Sequence, residues 1–227
     1  MTTLNPSDIQ AILLSAKVAT VATLLSLPFG FLCAYILAFH EFRGKLLLEG
    51  LINLPLTLPP VVIGYLLLLL LGSNGWLAPV LNSLGIRLLF SWKAAVIASS
   101  VVGFPLLVRS MRIGMESIDL RLIQTSRTLG ATWYDALLTI IAPLSLRGIM
   151  AGSSLMFARS LGEFGATIIV AGNIPGVTQT IPLAIYDYAA SPQGDQAALL
   201  LCGISVTLSL AILIFHDSMA RRFVRKD

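Results

Sequence analysis

Five long apolar runs, almost free of charge, constrain this chain more than any other feature. They cover about Ala11 to Phe39, Leu46 to Leu71, Ala94 to Val108 with a possible extension toward Ile113, Ile149 to Ala171, and about Ala197 to Phe215. A bilayer-crossing helix needs about 20 apolar residues at about 1.5 Å rise each, and every run but the third, which is marginal, meets that length. A membrane β-barrel would instead alternate polar and apolar residues over about ten positions, and no such alternation is present. Only 11% of the residues are charged and 56% are hydrophobic, with mean hydropathy +0.88. A soluble domain carries about 25% charged residues, so this chain cannot clothe a water-facing surface in the usual way. The sequence therefore predicts an all-α fold: a polytopic membrane helix bundle of about five transmembrane helices, in one domain over residues 1–227.

The basic residues set an expected orientation. Arg43, Lys45, Arg109, Arg112, Arg121, Arg127, Arg147, Arg221, Arg222, Arg225 and Lys226, eleven of the fifteen Lys and Arg, fall on one side if the N-terminus lies outside. Lys17, Arg87 and Lys93 fall at the other side, and Arg159 is embedded. The positive-inside rule then places the N-terminus outside and the C-terminus in the cytoplasm, which an odd number of spans requires as well. Trp76 and Trp92 bracket the second loop, where interfacial aromatics are expected. The polar start, Met1 to Gln10, has no basic segment of the kind that opens a cleavable signal. The outside loops, about Gly72 to Lys93 and Gly172 to Gln196, carry the turn formers Ser73-Asn74-Gly75, Asn173-Ile174-Pro175-Gly176 and Ser191-Pro192-Gln193-Gly194. They either dock an external partner or simply connect helices. Cys33 and Cys202 lie in apolar runs without a second ligand nearby, which reads as two small hydrophobes and no metal site. No basic run interleaved with aromatics suggests nucleic acid.

The segment Gly114 to Gly148 is too long for a simple connection and too patterned for a linker. Ile118, Leu122, Thr125 and Leu129 recur at near-helical spacing among Glu116, Asp119, Arg121, Gln124 and Arg127. Gly130-Ala131-Thr132 is a natural stop and restart, and Trp133 to Ile141 is helix-permissive until Pro143 breaks it. Two short helices with a turn at Gly130 are expected. A basic helix lying on lipid is the blander alternative, weakened by Glu116, Asp119 and Asp135 among the basic residues.

Gln124-Thr125-Ser126-Arg127-Thr128-Leu129-Gly130, nine further residues and then Ile140-Ile141-Ala142-Pro143 resemble the cytoplasmic loop of bacterial ABC import permeases. The family pattern is Glu-Ala-Ala, three residues, Gly, nine residues, Ile, one residue, Leu-Pro. Its spacing is kept here, while Gln124, Thr125, Ser126 and Ala142 depart from it in identity. Three more stretches are similar to molybdate-type oxyanion permeases: Leu54 to Tyr65, Gly103 to Arg109 and Phe157 to Thr167. The resemblance covers most of the chain, with tungstate and sulfate or thiosulfate permeases as the neighbouring branches. It implies a coupling helix that sits in a cleft of an ATPase subunit, with Gln124, Thr125, Ser126, Leu129, Gly130, Ala131, Thr132, Asp135 and Pro143 at or near that contact. It further implies a homodimer in the bacterial cytoplasmic (inner) membrane, two ABC ATPase subunits that hold ATP and magnesium, and an external oxyanion-binding protein. No cofactor is expected in this chain, which lacks a Gly-x-x-x-x-Gly-Lys-Ser/Thr phosphate loop.

Arg159 and Glu163 are charges in the fourth apolar run, four residues apart, so on a continuous helix they share a face and can pair. Charges at membrane depth face protein or water. Either they form a structural pair, or with Ser160 they line or gate a pathway, where the planar Arg fork suits a tetrahedral oxyanion. Gly162 and Gly165 suggest close helix packing. Pro59-Pro60 predicts a kink in the second run, as a hinge or a pathway wall. An intramembrane enzyme would need a nucleophile and base or a metal set. His40 and His216 stand far apart at run ends, and no catalytic residue is assigned.

Overall fold

The computed structural model describes residues 5–73 and 75–224, so Asn74, Arg225 and Lys226 lie outside the described residues. Helices make up the described fold in the order α1 (Pro6–Phe39), α2 (Lys45–Thr57), α3 (Pro60–Leu71), α4 (Ala78–Ser83), α5 (Trp92–Glu116), α6 (Leu120–Thr128), α7 (Trp133–Ala136), a π turn (Leu137–Ile141), α8 (Ala142–Leu144), α9 (Leu146–Leu161), α10 (Gly165–Val170), α11 (Ile181–Ala189) and α12 (Asp195–Val224). No strand is formed among the described residues.

Helices α1, α5 and α12 are each long and apolar enough to cross a membrane alone. The other two apolar runs are bent pairs, α2 with α3 at 113° and the Trp133–Leu144 stretch with α9 at 63°, so the count reaches five only if each pair is one span. At about 1.5 Å per residue, the 34 residues of α1 extend about 51 Å, beyond a hydrocarbon core of about 30 Å. Helix α5 also exceeds its expected length, starting at Trp92 and ending at Glu116. Pro105 sits within it without ending it.

The core forms where α5 packs between α1 and α9. Leu107, Met111, Met115 and Met156 are fully enclosed there. Backbone proximity at this crossing comes from glycine. A Cβ on Gly148 would stand 2.7 Å from the Ser110 carbonyl and 2.9 Å from the Gly114 Cα, and one on Gly152 would stand 2.8 Å from the Leu107 carbonyl. Without a strong hydrophobic drive between helices in lipid, such small-residue contacts provide the close packing that holds spans together. Large apolar side chains face outward instead, among them Leu24, Leu25, Phe29, Leu47, Leu66 and Leu210, as expected where lipid is the solvent.

Two expected loops contain helices. The stretch after Gly72 holds α4, and the stretch after Gly172 holds α11, whose Ile181, Leu183 and Ala184 are buried. Helix α11 docks on the start of α1: the Ile181 N–H donates to the Ser15 hydroxyl at 2.8 Å, and the Tyr188 hydroxyl donates to Asp8 at 2.8 Å. Asp8 is 4% exposed and also accepts from the Asn5 N–H in a capping box. Two of the three expected turns lie wholly within the described residues and form, while Ser73-Asn74-Gly75 includes Asn74, outside them. Gly176 has φ +75° and the Gly194 N–H closes on the Ser191 carbonyl at 3.0 Å.

Candidate functional site

Two discontinuities define the middle of the bundle. The first is the α2–α3 junction. Leu58 leaves the helix in extended conformation, and Pro59 and Pro60 start α3 in a new direction. Proline at the first helical position is tolerated because that N–H has no intrahelical acceptor. The expected kink is thus a corner of 113° rather than a bend within one helix.

The second discontinuity corrects the expectation of an unbroken fourth span. Helix α9 ends at Leu161, Gly162 caps it, and α10 begins only at Gly165, so Arg159 and Glu163 do not lie on one continuous helix. They meet nevertheless, with Arg159 Nη1 2.7 Å from Glu163 Oε2. The Glu163 side chain is 2% exposed and that of Arg159 is 31% exposed. The other Glu163 oxygen accepts the Ala166 N–H at 2.8 Å, inside the first turn of α10. One buried carboxylate therefore holds the end of α9 through Arg159 and the start of α10 through the backbone. Ser160 is buried beside them, and its hydroxyl has no hydrogen-bond partner among the described residues.

The two breaks lie against each other. A Cβ on Gly165 would stand 2.9 Å from the Pro60 ring and 3.3 Å from the Val61 nitrogen, while one on Gly64 would stand 2.8 Å from the Ala166 carbonyl. Half-helices α3 and α10 therefore pack backbone to backbone from their first residues onward. The structure so gathers Pro59, Pro60, Arg159, Ser160 and Glu163 around one level of the bundle. Of the two expected packing glycines only Gly165 makes a close contact, since a Cβ on Gly162 would meet nothing within 4 Å.

The patterned loop forms a separate element. Asp119 caps α6 by accepting the Arg121 N–H at 2.9 Å. Gly130, with φ +93°, turns the chain in the left-handed region that glycine enters without strain. Thr132 and Asp135 then form a capping box at the start of α7. The stop and restart thus fall at the expected residues. The apolar stripe does not pack as expected: Ile118 precedes the helix and is buried, Leu122 and Leu129 are 50% and 83% exposed, and Ile123 is the side chain that packs inward. Pro143 does not end the second helix either. A π turn comes first, in which the Ala142 N–H reaches back to the Leu137 carbonyl, and Pro143, with no N–H to donate, follows it into α8. The chain bends after Leu144 instead. Gln124, Thr125, Leu129, Gly130, Thr132, Asp135 and Pro143 are exposed, and Ser126 and Ala131 are partly so. The loop thus presents most of the expected contact residues outward, in a group apart from the Arg159 level.

This element is tied to the body by a contact the sequence did not suggest. Trp133 Nε1 donates to the Tyr35 hydroxyl at 2.8 Å, and the two rings meet edge-on at 6.1 Å between centroids. Tyr35 also stacks near Phe39 and His40 at the end of α1. A second unforeseen network sits at the same end. Arg112 reaches Glu49 of α2 and Glu116 of its own helix, each at 2.6 Å. The Arg112–Glu116 half follows the four-residue spacing of helical ion pairs and was open to detection. The Glu49 half joins residues far apart in sequence and was not. Helix α11 did carry a signal in Thr180-Ile181-Pro182, an N-cap residue followed by proline in the first turn.

Residues 26–225 match the family of the binding-protein-dependent transport system inner membrane component. The chain belongs to that family. Among its relatives, the molybdenum transport system permease protein ModB of Escherichia coli K12 is 48% identical over 219 residues, covering 96% of both chains. ModB of Haemophilus influenzae is likewise 48% identical over 96% of both chains. The sulfate transport system permease protein CysW of Synechococcus elongatus is 37% identical, over 90% of this chain and 73% of the relative. Among solved structures, a bacterial alginate ABC transporter matches 96% of this chain and 80% of its own with TM-score 0.77 at 18% identity. The inward-facing MetNI methionine ABC transporter matches 94% of both chains with TM-score 0.73 at 15% identity. These structural likenesses establish the fold: this inner membrane component is a multi-pass helical membrane subunit with the architecture of ABC transporter membrane chains.

Proposed function

We propose that this chain is the permease subunit of an ATP-driven importer that carries molybdate across the bacterial cytoplasmic membrane. The observation that carries the reading is 48% identity to ModB over 96% of both chains, against 37% to the sulfate permease CysW. Tungstate shares the charge and nearly the size of molybdate and is the expected second cargo, with sulfate or thiosulfate as the alternative. ATP with magnesium is held by separate ATPase subunits, two per complex, and an external binding protein delivers the oxyanion. One chain with five apolar runs is small for a pathway, which supports a homodimer. The basic-residue bias supports an N-terminus outside and a cytoplasmic C-terminus.

In this reading the α6–α7 element is the coupling helix. Its exposed apolar and aromatic groups, Leu129, Tyr134 and Leu138, fit the cleft of an ATPase subunit better than open water. Gly130 sets the turn, and Gln124, Thr125, Ser126, Ala131, Thr132, Asp135 and Pro143 surround the contact. The two facing breaks line or gate the pathway, with Arg159 as the group that meets the anion. Glu163 already pairs with one nitrogen of that guanidinium, so an oxyanion is held weakly and passes on. Ions must leave as readily as they enter. Selectivity then rests mainly on the binding protein.

The test is uptake of labelled molybdate in cells expressing the chain with its ATPase and binding protein. Competition by tungstate and not by sulfate is expected. Uptake of sulfate without molybdate would overturn the cargo and leave the importer reading.

A further inference from the structure

Helix α2 is held differently from the rest of the bundle. None of its residues is buried, although Leu47, Leu51 and Leu54 are large and apolar. It is hinged at both ends, by Gly44 at φ +99° before it and by the extended Leu58 and the 113° corner after it. Its polar tie to α5 is Glu49 to Arg112 at 2.6 Å. Arg112 does not depend on that tie, because Glu116 holds it at 2.6 Å from the same helix.

Arg109 lines the same cavity of about 170 Å³ as Glu49, Asn53 and Arg112, and takes part in no ion pair among the described residues. It precedes Arg112 by three residues, so it lies on nearly the same face of α5, about 4.5 Å along the axis. A second cavity of about 340 Å³ lies farther along in that direction, walled by Leu51, Ile52 and Pro55 of α2, Ser100, Val101 and Phe104 of α5 and Ser26 of α1.

From these observations we propose that Arg109 is a second docking station for Glu49, and that α2 slides along α5 by about one helical turn during the transport cycle. This rests on the importer reading above. In the first station Glu49 pairs with Arg112. In the second it pairs with Arg109, while Arg112 keeps Glu116. Neither position leaves Glu49 or Arg112 without a partner, and only the half-buried Leu48 and Ile52 of α2 have to shift against the core. The cavity beside α2 gives Leu51, Ile52 and Pro55 room to pass α5 as the helix shifts. The drive comes from α5 itself, whose last residue Glu116 leads through Ser117 and Ile118 into the coupling element, so a displacement of that element acts directly on the end of α5 that carries both arginines. Arg109 is thus a positioning residue that acts through Glu49.

The experiment uses the assembled complex in membranes, with Cys33 and Cys202 replaced by serine. Ile52→Cys with Val101→Cys places one thiol on each wall of the second cavity, and a short bifunctional thiol reagent reads their separation; Leu51→Cys with Ser100→Cys is the alternative pair. The cross-link yield is expected to differ at least threefold between nucleotide-free and ATP-trapped complexes, and Arg109→Gln is expected to abolish the difference. Equal yields in both states, or a difference that survives Arg109→Gln, overturn the proposal. This arm holds whatever cargo is carried, so a complex that fails to import molybdate sinks the cargo reading separately. In complexes that do import, Arg109→Gln and Glu49→Gln should each lower uptake about tenfold, Arg109→Lys should retain most of it, and the double variant should be no worse than the weaker single one. Multiplicative losses would mean that Arg109 acts without Glu49, and overturn it.

Discussion

Alanine at Gly165 and at Gly162 separates a packing glycine from a merely permissive one three residues away. At Gly165 the added Cβ would stand 2.9 Å from the Pro60 Cβ, 3.3 Å from the Val61 nitrogen and 3.4 Å from Val61 Cγ2. The proline ring is fixed and the Val61 nitrogen is backbone, so half-helices α3 and α10 must part by several tenths of an ångström. Forcing one methyl into a packed contact costs about 1–3 kcal/mol. At Gly162 no atom stands within 4 Å, and φ is −91°, which any L-residue adopts. Alanine there is tolerated, with a gain of up to about 1 kcal/mol from a less flexible unfolded chain. A chain of this size shifts its melting point by about 2–4 °C per kcal/mol on the scale of soluble domains. Thermal unfolding of the detergent-purified complex, followed by fluorescence-detected gel filtration, should show Gly165→Ala lower by roughly 2–12 °C and Gly162→Ala unchanged or higher by up to about 4 °C. Equal shifts, or a larger loss at Gly162, would refute the facing-break geometry.

Other substitutions test the remaining elements. Gly148→Ala drives a methyl toward the Ser110 carbonyl and the Gly114 Cα, both backbone atoms, and should cost about 1–3 kcal/mol in the same unfolding assay; an unchanged melting point would contradict the α5–α9 crossing. Arg159→Ala strands the 2%-exposed Glu163 carboxylate and should lower both stability and uptake, whereas Arg159→Ala with Glu163→Gln should restore stability without restoring uptake. If uptake returns with stability in that double variant, the pair is structural only. Tyr35→Phe removes the acceptor of the Trp133 hydrogen bond, worth about 1 kcal/mol, and should leave assembly intact while ATP hydrolysis per ion imported rises; a normal ratio would remove Tyr35 from the coupling route.

Much of the fold was legible because hydropathy alone locates helices in a membrane, and the turn at Gly130 with its restart at Thr132 follows from local backbone chemistry. What failed to show has a common cause. The run from Ile149 to Ala171 reads as one span because apolarity continues through Gly162, yet the backbone leaves the helix where Glu163 caps the next one. Pro143 reads as a breaker because a π turn, which re-registers the hydrogen bonds ahead of it, leaves no mark in hydropathy. Helix α11 was hidden in a stretch read as a connecting loop from its flanking turn formers, although Thr180 and Pro182 announce its start. Contacts such as Glu49–Arg112 and Trp133–Tyr35 join distant positions and need the fold itself. Within the candidate site, the pairing of Arg159 with Glu163 was expected from a shared helix face and forms instead across a helix break, while the meeting of Gly165 with Pro60 left no mark in the sequence.

The central claim is that this chain conducts an oxyanion only under the control of a separate ATPase. The most direct measurement is uptake of labelled molybdate into proteoliposomes holding the chain and its ATPase, with the binding protein outside and ATP inside. Accumulation that needs all three proteins and ATP, and stops without hydrolysis, is the predicted result. Equilibration of molybdate through the chain alone, without ATP or the ATPase, would contradict it.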